Sequence, residues 1–295
     1  MLAKVLLTSI MMLACGAPQA GFTTGTGQRG DFQERDEFNQ AYQLTPGARV
    51  EVSSIRGRVE ITNSDTTTAE VQVIRTARTR ADLEYHKIEV IHTDNSLVVR
   101  GVQEPEDRRG NNIQVNHRII LKLPRRIDLA VSSVSGSLKA GDVDGQTHVS
   151  SISGSARIGN VGDKLQASSV SGSLDVGNVG ADAQVKSVSG NVKLGQVSGS
   201  LYVSSVSGAL NAALVSLSPQ GIQIKSVSGS VEIAFKSDIN ADLNAEHVSG
   251  EVYLDVPNVN RDSEVKSPNV RARIGAGGTP ITISSVSGNI RFTRS

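Results

Sequence analysis

Along residues 128–215, apolar and polar positions alternate in short runs, and the runs recur. In "KLQASSVSGSLDVGNVG" (residues 164–180), Leu165 and Ala167 share one parity with Ser169, whereas Leu174 and Val176 share the other with Val170 and Gly172. Alternation with a period of two is the pattern of a strand, because successive side chains point to opposite faces. A change of parity without a long loop marks a corner. Read straight through that corner, the parity places Val170, Gly172, Leu174 and Val176 inside.

The corner glycine sets the period. Gly136, Gly154, Gly172, Gly190 and Gly208 are 18 residues apart (154 − 136, and so on), and Gly229 and Gly250 follow at 21 (229 − 208, 250 − 229). Gly288 comes 38 residues later (288 − 250), and "VKSPNVRARIG" within that gap reads as a worn copy, with Pro268 in a valine slot and Val270 in the glycine slot. An isolated relative, "VEVSSIRGRVEI", surrounds Gly57. Self-similarity at a fixed short period marks a repeat architecture. At ~3.3 Å per residue, one 18-residue copy has a perimeter of roughly 60 Å, enough for a narrow core of small side chains; coils stacked ~4.8 Å apart pair every strand with its own copies. The expected fold is all-β: a single-stranded parallel β-solenoid, β-helix-like, of about 18–21 residues per coil with a β-rich N-terminal cap. The extra residues of the longer copies fall in "VSLSPQG" and "KSDINAD", which are rich in turn formers, and are expected to bulge from one corner of neighbouring coils.

Outside the repeats the pattern changes. "MLAKVLLTSIMMLACGAPQAG" carries one lysine, an apolar run from Val5 to Leu13 and then small residues, the layout of an export signal with a run too short to span a bilayer. Cys15, the sole cysteine, stands where a lipoprotein signal places its lipidated residue, and cleavage near Gly16 or Ala20 is the alternative. The expected organisation is a signal over 1–20, a flexible Gly/Thr-rich tether over 21–37, an N-terminal β-rich region with the first repeat over 38–127, and solenoid repeats over 128–295. "TDNS" between "KIEVIH" and "SLVVRGV" reads as a hairpin turn. The N-terminal region is expected to cover one end of the solenoid, and the charges of Arg291 and Arg294 to blunt the other.

Composition narrows the chemistry. A formal net charge of +1 without a basic stripe argues against a nucleic-acid partner. The outward residues after each corner, Lys139, Arg157, Asp175, Lys193, Asn211, Glu232, Tyr253, Arg273 and Arg291, vary in sign without clustering, unlike the paired carboxylates of polysaccharide-cleaving β-helices. His86, His92, His117, His148 and His247 lack metal-ligand spacing. Asp238, Asp242, Glu246, Glu251 and Asp255 gather near the longer copies and read as an acidic solvated loop. No cofactor is expected. Serines form outward columns, notably Ser135, Ser153, Ser171, Ser189 and Ser207, and with the outward Tyr202 and Tyr253 these are the candidate contact surface. The bland reading of the serines is that they bond the backbone of the corners.

The stretch "FNQAYQLTPGARVEVSSIRGRVEIT" followed by serial "SVSGSLKAG"-like repeats behind an export signal resembles the bacterial putative-adhesin family of β-strand-repeat envelope proteins. The resemblance covers about Phe38 to Arg294 and implies fold and an envelope location, with no catalytic residues to carry over. The expected function is that of a non-enzymatic exported cell-envelope protein, an adhesin-like interaction or scaffold module. It would sit in the periplasm or on the outer surface, with an envelope protein or glycan as partner and membrane contact only through a lipid on Cys15. The alternative is a polysaccharide-active parallel β-helix enzyme.

Overall fold

The computed structural model describes residues 3–5, 34–103, 115–249, 251–261 and 269–294. The signal and Cys15 lie outside the described residues, apart from a short strand Ala3–Val5 that runs antiparallel to His86–Thr93. The next described strand is Glu34–Gln43.

The repeats form the parallel β-solenoid that their period implies. Leu165–Ser171 lies between Thr147–Ile158 and Ala183–Ser189 with like residues in register, so Leu165 meets Thr147 on one side and Ala183 on the other. Past the corner, Leu174–Val176 stacks in the same way between Ala156–Ile158 and Val192–Leu194. A third side is closed by single bridges, Val143 to Val161 to Val179 to Val197. Three short sides leave room inside for one small side chain from each position, and Leu165, Ala167, Leu174, Val176 and Val179 are all buried. A ladder of side chains supports the third side from below. The Oδ1 of Asn63, Asp142, Asn160 and Asn178 each accepts from the backbone N–H one rung on, at Asp142, Asn160, Asn178 and Gln196, at 2.8–2.9 Å. This fixes the role of the residue after "G" in "GDV" and "GNV": it satisfies a turn N–H that no strand reaches.

The corner differs from the parity reading. Ser169 is buried, Val170 and Ser171 are exposed, and burial resumes at Leu174. Gly172 has φ +127°, in the region that favours glycine, and such a residue reverses the alternation that would otherwise carry Val170 and Leu174 to one face. Val170 therefore points to solvent. Gly172 does not point into the core either: a Cβ built on it would lie 1.8 Å from the carbonyl oxygen of Gly154, so its missing side chain would run along the stack axis.

The rungs are not stacked in chain order. Ala48–Ser64, the isolated relative in the sequence, pairs parallel with Ile127–Ala140, and Gly57 sits beside Gly136. Its other side is covered by a rung made from Ser96–Gln103 and Val115–Pro124. The described residues among the 62 between Ser64 and Ile127 (65–126) thus build the end of the molecule before the chain returns to the far side of its first rung. That end is finished by antiparallel strands: His86–Thr93 on Ser96–Gln103 through the expected Thr93/Ser96 hairpin, Thr68–Ala77 on Val115–Pro124, and Glu34–Gln43 on Thr68–Ala77.

The other end repeats the device. Ile222–Ser228 pairs with Thr279–Ser287, which in turn pairs with Ala241–Ser249. The segment 279–294 is therefore inserted between the rungs 222–235 and 241–255. Asn269–Ile274 runs antiparallel to Ala241–Ser249, with Val270 opposite Ala245. The supposed worn copy is thus a capping strand, and Val270 occupies no corner-glycine slot. It is this strand with Val259–Arg261, rather than the charges of Arg291 and Arg294, that covers the last rung. The two caps cover much of the stack's ends, although among the described residues Val252–Asp255 is paired on one side only.

The longer loops share one corner, as expected. Lys236 N donates to Leu214 O at 2.9 Å, and Ser237 Oγ donates to Val215 O at 2.7 Å. The second loop steps over the inserted rung to reach Ala241, whereas the first joins adjacent rungs.

Candidate interaction face

Three columns run along the corner, each with one residue per rung. The first is apolar: Val134, Ile152, Val170, Val188, Val206, Val227 and Val286 are each 43–50% exposed. The second holds the expected serines. Ser135, Ser153, Ser171, Ser189 and Ser207 are stacked in register and continue through Ser228 and Ser287 to Ser249, with Arg56 at the opposite end. The third, just past the glycine, runs Arg58, Ser137, Ser155, Ser173, Asn191, Ala209, Ser230, Asn289, Glu251.

The valine column is what sequence reasoning missed. Its signal was present, since two consecutive outward residues are the cheapest way to turn a strand corner at a glycine, but reading the alternation through a positive φ hid it. Buried serines sit beneath it: Ser133, Ser151, Ser169, Ser187, Ser226 and Ser285 form an inward column, and the hydroxyls of Ser169 and Ser187 have no hydrogen-bond partner. Small polar residues are tolerated here because the corner leaves no room for a larger apolar group.

The two tyrosines do not join this face. Tyr202 is half-buried on the flat side before the corner, between Gln184 and Gln223. Tyr253 lies on the side after the corner, its ring 5.4 Å from the guanidinium of Arg291 and its hydroxyl donating to Glu251.

The charged groups are spread and mostly paired. Arg157 meets Asp175 at 3.4 Å within the column after the corner, and Arg118, which stacks on Arg58, meets Glu60 at 3.0 Å; Arg273 lies instead on the cap, 3.2 Å from Asp242. The Gly278 N–H and the Arg273 guanidinium hold the Asp242 carboxyl below its usual range. Asp238 is engaged by Arg294 at 3.1 Å. Among the described residues, no three His, Cys, Asp or Glu side chains converge on a point that could hold a metal.

Among the described histidines only His86 and His117 are neighbours. His148 is exposed on the flat side, in a shallow groove with Arg49, Asp128 and Lys164, and His92 Nε2 is 2.7 Å from Gln43 O. The side chain of His247 lies outside the described set. His117 is the exception. It is buried on the strand opposite Arg75, its ring centroid 6.2 Å from that of His86, with both ring nitrogens unpartnered. Burial first, then the neighbouring His86 and Arg75, lower its pKa to about 4. The cap thus holds a neutral imidazole.

The family model Toastrack DUF4097 matches residues 48–293, from the first rung to the last strand. The chain belongs to the Toastrack DUF4097 family. No curated protein matches it. Solved structures similar to this Toastrack chain include a putative adhesin from Bacteroides fragilis (11% identity, 88% of this chain and 97% of that one, TM-score 0.34). Others are a putative cell adhesion protein from Clostridium sporogenes (13%, 89% and 100%, TM-score 0.25) and a putative lipid binding protein from Parabacteroides distasonis (13%, 87% and 96%, TM-score 0.30). Those descriptions belong to those proteins.

Proposed function

We propose that this Toastrack chain is a non-enzymatic, exported module of the cell envelope that acts as an adhesin-like interaction or scaffold element through its corner ridge. The observation that carries this reading is the row of seven exposed β-branched side chains, one per rung, beside a row of exposed serines. Contiguous apolar surface on a soluble face marks an interaction site, whereas isolated exposed apolar residues need no explanation. The ridge stands on a stiff support. Each rung is hydrogen-bonded on both sides, so the face keeps its shape without a ligand and binding costs little ordering.

The test combines address and face. Mass spectrometry of the mature N-terminus from a bacterial host should show loss of the leader, with a lipid on Cys15 or cleavage near Gly16 or Ala20. The purified chain should pellet with isolated envelopes, and Ile152→Lys with Val227→Lys should release it while leaving the thermal melt unchanged. An intact Met1 on protein confined to the cytoplasm, or release of reducing sugar from envelope polysaccharide, would overturn the reading.

A further inference from the structure

The three corner columns carry charge only at their ends, and of opposite sign. From the rung of residues 48–64 to the rung of residues 241–255, the apolar column has no charged residue. The serine column has Arg56 at its first position and Ser249 at its last; in these nine rungs the third column runs from Arg58, which lies 3.5 Å from Glu60 and has Arg118 of the capping rung beyond it, to Glu251. Every position between them is Ser, Val, Ile, Asn or Ala.

A surface of this kind is complementary to itself in one orientation. If a second copy is placed face to face with its ladder reversed, the two-fold axis lies between the faces and crosses the ladder at its middle. Each column then meets the same column of the partner: valine meets valine, and Arg58 meets Glu251 twice, once at each end. With the ladders parallel, the columns would swap sides and like ends would coincide, bringing the basic ends together. The middle of the row of six valines and Ile152 is Val188, with three rungs of the row on either side.

Size agrees. Nine rungs span eight steps of ~4.8 Å, roughly 38 Å. Nine rungs in three columns give 27 positions per copy (9 × 3), within the 20–30 residues a side of an ordinary stable interface. The common ~4.8 Å rung spacing keeps the two rows in step along their whole length. We propose that the corner ridge is a homodimer interface in which two copies of this chain pack antiparallel, valine row on valine row about an axis near Val188, with Arg58 of each copy against Glu251 of the other. This rests on the reading of the ridge as the interaction face and names its partner as a second copy.

The experiment uses the full chain carrying Cys15→Ser, which leaves no other thiol. Sedimentation equilibrium should give twice the mass that mass spectrometry finds for the purified chain, and Val188→Lys, which faces itself across the axis, should weaken association at least ~10-fold. Arg58→Glu should weaken it several-fold to roughly 30-fold, since the pair occurs twice, and Arg58→Glu with Glu251→Arg should restore it. Under mild oxidation Val188→Cys should form a disulfide-linked dimer; Val134→Cys alone should not, and Val134→Cys with Val286→Cys should. A chain that stays monomeric at tens of micromolar overturns the dimer, as does Val134→Cys cross-linking as readily as Val188→Cys. If the wild type is monomeric yet Val188→Lys still loses its envelope binding, the interaction face stands and the second copy is excluded. If dimers form by this register and envelope pelleting fails, the envelope role falls and the interface stands.

Discussion

Replacing Gly172 by alanine tests the stacked corner most directly. Two costs add. The first is conformational: φ +127° lies where residues with a Cβ are strained, and a non-glycine residue held there costs of order 1–3 kcal/mol. The second is contact: the new methyl would lie 1.8 Å from Gly154 O and 2.7 Å from Gly154 C, and both atoms belong to a backbone locked in the ladder. No rotamer relieves such a clash. The two rungs must separate locally, at an overpacking cost of at least another ~1–3 kcal/mol. Gly278 supplies the control. Its φ is +115°, and a Cβ there meets nothing within 4 Å, so Gly278→Ala carries the strain alone. With roughly 2–4 °C per kcal/mol for a chain of this class, Gly278→Ala should lower the melting temperature by about 2–12 °C and Gly172→Ala by clearly more, about 4–24 °C. Far-UV circular dichroism melts of both variants, with urea titrations to confirm the order, decide it. Should Gly172→Ala melt within about 2 °C of Gly278→Ala, no backbone contact lies beneath the corner glycine and the stacking described for all the rungs is wrong.

Two further outcomes follow from other parts of the molecule. The unfolded chain takes up the His117 proton near pH 6.5 while the folded chain resists to about 4, so stability should be flat above pH 6.5 and fall by up to roughly 3 kcal/mol as pH drops toward 4; urea midpoints at pH 4.5 and 7.5 should diverge for the wild type and much less for His117→Leu. Asn178→Ala removes the acceptor for Gln196 N and breaks one link of the asparagine ladder, which should cost ~0.5–1.5 kcal/mol in a urea titration, whereas Arg157→Ala, whose ion pair with Asp175 is exposed, should stay within about 0.5 kcal/mol.

Much of the architecture was legible because the environment repeats with the sequence. The 18-residue glycine spacing gives the coil, the two longer copies give the corner loops, and the pause at Thr93 to Ser96 gives the hairpin. The serine column at Ser135, Ser153 and Ser171 also lies where its spacing places it. What stayed hidden has two physical causes. Alternation is a statement about ordinary strand geometry, and a glycine at positive φ breaks it, which sent Val170 to the wrong face and made the corner glycine look like a core position. The second cause is the repetition itself. Copies with the same stacking surface do not specify which of them are neighbours, so nothing local in "VEVSSIRGRVEI" reveals that Gly57 lies beside Gly136. Likewise nothing local in residues 279–294 reveals that they enter between two earlier rungs. For Asn269–Ile274 the alternation was right and the direction was not, since a strand of either polarity presents the same period.

The inserted rung imposes an order of events on synthesis. A ribosome delivers residues 222–235 and 241–255 before 279–294, yet the later segment must lie between the two earlier ones. The simplest zippering of a solenoid, each coil docking on the one just made, would press 241–255 directly onto 222–235, and with nearly identical stacking surfaces that contact would be close to native in quality. It would also be a trap, since it must open again before the chain can finish. The long loop 236–240 works against it, being long enough to step over two rungs and therefore slack when only one is crossed. Folding of this end is thus expected to lag behind the rest, with the growing coil waiting, edge open, for a strand that has not yet been made.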